Sequence, residues 1–205
     1  MSIYLLKPKF QSLLRPGVRA LYRAGVTANQ VTLAACVLSV LLGAWLYLQQ
    51  PGAAAFALVP LWMLLRMALN AVDGMLARDF GQASKLGALL NEVTDVVSDT
   101  MLYLPFAALA PFDPFWVGAV ILLAALSEFA GVLGSTIGAS RRYDGPMGKS
   151  DRAFVFGALG LAAALNLLPA AAAAVMPLVA LLTAWTVVRR MKNALAEVQL
   201  KRTAP

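Results

Sequence analysis

The chain has 205 residues, 60% of them hydrophobic and only 13% charged, with a formal net charge of +7 and a single cysteine, Cys36. Globular domains carry about a quarter charged residues, so this composition reads as one membrane domain. The absence of histidine excludes imidazole catalysis and histidine metal ligation, and Cys36 in its apolar run packs as a small hydrophobe, which excludes disulfides, zinc clusters and a thiol nucleophile.

The first residues lack a short apolar core with a small-residue cleavage site, so no removable signal peptide is expected. Residues 1–25 instead pair an apolar stripe (Phe10, Leu13, Leu14, Val18, Leu21, Tyr22) with arginines every four residues (Arg15, Arg19, Arg23). That pattern suits an amphipathic helix on an anionic membrane surface, with a break or bend at Pro16. A solvated basic tail would leave the apolar stripe unexplained.

A hydrocarbon-spanning helix needs about 20 predominantly apolar residues. Six stretches qualify, at 28–49, 53–77, 84–109, 114–138, 150–168 and 170–190. The expected fold is therefore an all-α integral membrane protein, with an interfacial helix (1–25), a six-helix domain (26–193) and a tail (194–205). Segments 49–52 and 166–169 carry no charge and 110–114 only Asp113, whereas the other connections and both ends are basic. The positive-inside rule places both termini and the basic loops in the cytoplasm. The net charge then reflects topology and anionic lipid, not nucleic acid.

Ionisable groups within spans cost at least a few kcal/mol near the bilayer centre, so they turn inward and are usually functional. Arg66, Asp73, Glu92, Asp95, Asp99 and Glu128 need such an account. Arg66, Asn70, Asp73 and Ala77 share one helical face, and Gly87, Asn91, Asp95 and Asp99 recur every four residues on the next helix. Two facing helices that offer carboxylate and amide oxygens can surround a hard divalent cation bridging to a phosphate. The blander alternative pairs the acids with Arg66, Arg78 or Lys85 and gives Gly74 and Ala77 a packing role only.

The segment Asn70-Ala-Val-Asp73-Gly74-Met-Leu-Ala77-Arg78, followed at fixed spacing by Gly87, Asn91 and Asp95, resembles the signature of the CDP-alcohol phosphatidyltransferases at every interval. Thr27-Ala-Asn29 before the first span is similar to that family's Thr-Pro-Asn, with Ala28 for proline. The resemblance implies transfer of a phosphatidyl group from CDP-diacylglycerol to an alcohol, with release of CMP and dependence on Mg2+ or Mn2+. It implies metal ligation by Asn70, Asp73, Asn91 and Asp95, with Asp95 also the general base, and CDP contacts from Asn29, Gly74, Ala77, Arg78 and Ser84. It further implies a homodimer in a bacterial inner membrane, with the active site on the cytoplasmic side.

The two asparagines depart from the family's four aspartates and remove about two negative charges; an amide offers a carbonyl oxygen but no charge. Either one ion binds instead of two, or Glu92 and Asp99 replace the charge, or the reaction has been lost. The basic loop with Arg141, Arg142, Lys149 and Arg152 suits an acceptor that carries phosphate, such as glycerol 3-phosphate or an inositol phosphate, with Lys149 and Arg152 as the preferred contacts. Two other functions stay open: a non-catalytic lipid- or nucleotide-binding relative, and a small ion-coupled transporter.

Overall fold

The computed structural model describes residues 6–203, with side-chain surroundings from Phe10 to Lys201. Residues 1–5 of the N-terminal helix, residues 204–205 of the tail, and the side chains of Lys7, Lys9 and Arg202 lie outside the described residues. Among the described residues seven α-helices follow one another: α1 (Leu6–Arg23), α2 (Ala28–Gln49), α3 (Leu58–Asp79), α4 (Lys85–Tyr103), α5 (Pro114–Leu133), α6 (Lys149–Ala164) and α7 (Val175–Thr203). Short 3-10 turns lead into α3 and α7 and follow α4 and α5, and no strand occurs among the described residues.

Local chemistry sets several helix starts. Thr27 and Gln30 form a reciprocal capping box at α2, Thr27 Oγ1 accepting from Gln30 N and Gln30 Oε1 from Thr27 N. Ser84 Oγ accepts from Gly87 N at 2.9 Å to cap α4, and Asp113 caps α5 just ahead of Pro114 at the first helical position. Of the break or bend expected at Pro16, the break does not occur, and α1 continues as helix through it. Its buried stripe explains the tolerance: Val18 is fully buried against Val72, Met75 and Leu76 of α3, and Arg15 pairs with Asp79 at 2.9 Å. Tertiary packing holds the helix despite one absent backbone donor. Beyond residue 193, α7 continues as helix to Thr203.

Four helices are both long and apolar enough to cross a membrane: α2, α3 with its leading turn, α5 with its trailing turn, and α7 with its leading turn. Besides the amphipathic α1, two helices miss that mark, one for its charge and one for its length. α4 carries Lys85, Glu92, Asp95 and Asp99, and α6 is only 16 residues long.

α2 packs between α3 and α4, α3 reaches α6, and α5 lies against both α4 and α7. Small residues permit the α2–α4 approach, where Val31, Ala35, Ser39, Gly43 and Leu46 make the buried stripe of α2. A Cβ on Gly43 would lie 2.0 Å from the Met101 carbonyl oxygen. An aromatic core fills one end of the bundle, with Tyr103 stacked on Phe156 at 3.8 Å and Phe106 edge-on to Phe56 and Phe156. The opposite end, where α2 and α4 begin and α3 ends, is polar.

Candidate active site

At that polar end α2, α3 and α4 enclose a cleft of about 320 Å³. Asn29, Asn70, Asp73, Gly74, Ala77, Arg78, Ser84 and Asn91, all singled out from the sequence, line it. The helical spacing explains the convergence, since Asn70, Asp73 and Ala77 share a face of α3 that meets Ser84, Gly87 and Asn91 on α4. Gln82, in the turn between those helices, ties the cleft to α2 by accepting from Ala28 N at 2.7 Å and donating to Val26 O. A Cβ on Gly87 would lie 2.7 Å from Asn29 Oδ1, so glycine leaves room for the Asn29 amide in this position. Arg78 folds over Gly74 and makes no ion pair with any described residue, which leaves a free guanidinium facing the cleft. Asp73 is buried and accepts from Thr32 Oγ1 at 2.7 Å.

Asp95 lies one turn beyond Asn91, between two cations. Lys149 Nζ is 2.5 Å from its Oδ2, and Arg66 Nη2 is 3.1 Å from its Oδ1. The second Arg66 nitrogen pairs with Asp99, so this buried guanidinium staples α3 to α4. Asp99 therefore faces Arg66 and Arg152 rather than the cleft. Glu92 pairs with Arg141 at 2.6 Å.

The four loop cations separate into different surroundings. Arg141 spans Glu92 and Glu128 and lies over the Tyr143 ring. Arg142 turns to Asp144 and Glu197, a clamp on the loop. Lys149 meets Asp95. Arg152 is fully buried and donates to Glu128, Ser127 Oγ and the Met147 carbonyl. In the loop, burial acts to raise the Asp144 carboxyl, but hydrogen bonds from Arg142 and Asn193 outweigh it and hold that carboxyl below its ordinary range.

Arg190, on α7, is only 2% exposed and bonds the carbonyls of Asp144 and Ser127 while facing Glu128 at 3.4 Å. A signal was available, because Thr183, Thr186, Arg190 and Glu197 recur at helical spacing along α7. Arg66, Arg141, Lys149, Arg152 and Arg190 thus meet only Glu92, Asp95, Asp99 and Glu128, an excess of one positive charge. The buried Nε atoms of Arg141 and Arg152 also have no hydrogen-bond partner. Such a cluster suits an anion.

Among the described residues no group of three or more acidic, cysteine or histidine side chains could hold a metal ion. An ion here would depend on Asp73 with the amide oxygens of Asn70 and Asn91, an all-oxygen set of the kind magnesium and manganese accept.

A family model for CDP-alcohol phosphatidyltransferase matches residues 25–189. The chain is 46% identical over 204 residues to the inner membrane protein YnbA of Escherichia coli, covering 95% of this chain and 97% of that protein. It is 31% identical to an archaetidylinositol phosphate synthase of Aeropyrum pernix, over 91% and 92% of the two chains. Its fold is similar to the crystal structure of Mycobacterium tuberculosis phosphatidylinositol phosphate synthase with CDP-DAG bound, at 23% identity and a TM-score of 0.71 over 89% of this chain and 92% of that one. The same enzyme in complex with manganese and citrate gives a TM-score of 0.72 at 22% identity, over 87% of each chain. The chain therefore belongs to the CDP-alcohol phosphatidyltransferase family.

Proposed function

We propose that this enzyme transfers the phosphatidyl group of CDP-diacylglycerol to a hydroxyl of a phosphate-bearing polyol, such as glycerol 3-phosphate or an inositol phosphate, with release of CMP. The observation that carries this reading is the single cleft in which α2, α3 and α4 gather the signature residues beside Asp95. Arg78 holds the diphosphate by charge-assisted bonds, while Asn29, Gly74, Ala77 and Ser84 shape the space for the cytidine side. Asp95 accepts the proton of the acceptor hydroxyl as that oxygen attacks the lipid phosphorus, and the bond from phosphorus to the departing CMP oxygen breaks. Asn70, Asp73 and Asn91, with Asp95 beside them, would hold Mg2+ or Mn2+, whose charge offsets that developing on the leaving phosphate.

Arg141 and Lys149, both partly exposed, receive the acceptor's phosphate, the buried Arg152 holds Glu128 behind them, and Arg142 keeps their loop in place through Asp144 and Glu197. The excess of positive charge supports this assignment. Two named relatives also support it, since both are inositol phosphate lipid synthases.

In the membrane, α2 to α7 make six spans, with the polar α4 and short α6 shielded by their apolar neighbours. Residues 1–25 lie at the interface, residues 26–193 form the catalytic domain, and 194–205 extend into the cytoplasm on the side of the active site. A bacterial inner membrane and a homodimeric assembly complete the reading.

The deciding experiment incubates purified protein in detergent with CDP-diacylglycerol, Mg2+ or Mn2+ and a panel of acceptors, and follows CMP. Release with a phosphorylated polyol is expected. No release with any acceptor, where a related active enzyme turns over, would sink the catalytic reading in favour of a binding role, which Asn70 and Asn91 would then explain.

A further inference from the structure

We infer that the site works with one divalent ion per chain, and that the Lys149 ammonium takes the place of a second ion on Asp95. The inference deepens the proposed function and rests on it.

Both oxygens of Asp95 are engaged by cations, Oδ2 by Lys149 at 2.5 Å and Oδ1 by Arg66 at 3.1 Å. Arg66 is shared with Asp99 and is buried, so it is fixed by the fold. Lys149 opens α6 at 29% side-chain exposure and holds its charge against the same carboxylate. A second divalent ion on Asp95 would have to displace that ammonium or sit beside it against strong repulsion.

The ligands available elsewhere agree. Asn70 and Asn91 supply amide oxygens without charge, which leaves Asp73 as the one carboxylate lining the cleft. A diphosphate diester brings two negative charges. Together with Asp73 and Asp95 these four negative charges are matched by one divalent ion, Lys149 and the free Arg78. An ammonium has three donors and uses one on Asp95, so Lys149 can still touch the acceptor.

The test counts ions directly. Mn2+ is titrated into full-length protein in detergent saturated with CDP-diacylglycerol, and free Mn2+ is read from its electron paramagnetic resonance signal. One bound ion per chain is expected; two, or none, would overturn the inference. The Asn70→Asp/Asn91→Asp double variant should still bind one ion, and adding Lys149→Met should raise the count to two. A double variant that already binds two removes Lys149 from the role. Gel filtration shows which variants are folded, and the wild-type count decides the number of ions even if none is. CMP release from the same preparation keeps the two ideas apart. Release with two ions bound defeats this inference alone, whereas one ion without release defeats the catalytic reading alone.

Discussion

Asp95 is partly buried at the meeting of α3, α4 and α6, where Arg66 and Lys149 each hold one of its oxygens. Replacing the carboxylate by an amide of the same shape removes basicity and keeps an acceptor oxygen for Arg66. Asp95→Asn should therefore lower CMP release at least about a hundredfold while CDP-diacylglycerol binding, followed by equilibrium dialysis, stays near wild type. Retained turnover would take Asp95 out of the base role. At this scale the sequence was informative where spacing alone decides geometry: Asn70, Asp73, Ala77, Arg78 and Asn91 line one cleft as helical periodicity requires. Partners across helices were not legible. Thr32 on Asp73 and Arg190 beside Glu128 depend on how helices far apart in the chain are rotated, and no local pattern reports that rotation.

Helices in lipid gain little from hiding apolar surface from one another, so close approach of small residues carries much of their association. Gly43 is the tightest such point, with the Met101 backbone oxygen 2.0 Å from where a Cβ would be and the carbonyl carbon at 2.5 Å. Backbone cannot rotate away as a side chain can, so α2 would have to shift off α4 and take Asn29 and Thr32 with it. Gly43→Ala should cost about 2 kcal/mol, a fall of about 4–8 °C in melting temperature for a chain of this size. Gly118→Ala, inside α5 with no heavy atom within 4 Å of the added methyl, should leave the melting temperature unchanged or raise it slightly. Equal losses in both would show that close packing at Gly43 is not the cause. The element boundaries themselves were largely readable from hydropathy: the stretch 28–49 coincides with α2, and 114–138 covers α5 with its trailing turn. Pro16 misled, because the break expected from its missing donor is overridden by the docking of Val18 on α3.

The molecule as a whole separates its chemistry along the bundle axis. Phe56, Phe106, Phe112 and Phe156 fill one end and the charged network occupies the other, beside the loops that carry the basic residues. The connections at the aromatic end, 49–52, 110–114 and 166–169, hold a single charge, Asp113. Transfer of Lys or Arg across a bilayer is costly, so this asymmetry is the ground for proposing six spans with the cleft at the cytoplasmic face. Orientation can be read by labelling. In a Cys36→Ser background, Gln49→Cys and Leu167→Cys sit on exposed positions at the aromatic end, and Leu195→Cys sits on the exposed face of the last helix near the charged end. A membrane-impermeant maleimide added to spheroplasts should label the first two, and Leu195→Cys only after lysis. The reverse pattern would place the cleft outside, where no cytoplasmic nucleotide-linked lipid headgroup could reach it. Labelling of Gln49→Cys but not Leu167→Cys before lysis would mean that α6 fails to span, which its 16 residues make the sharpest risk to a six-span arrangement.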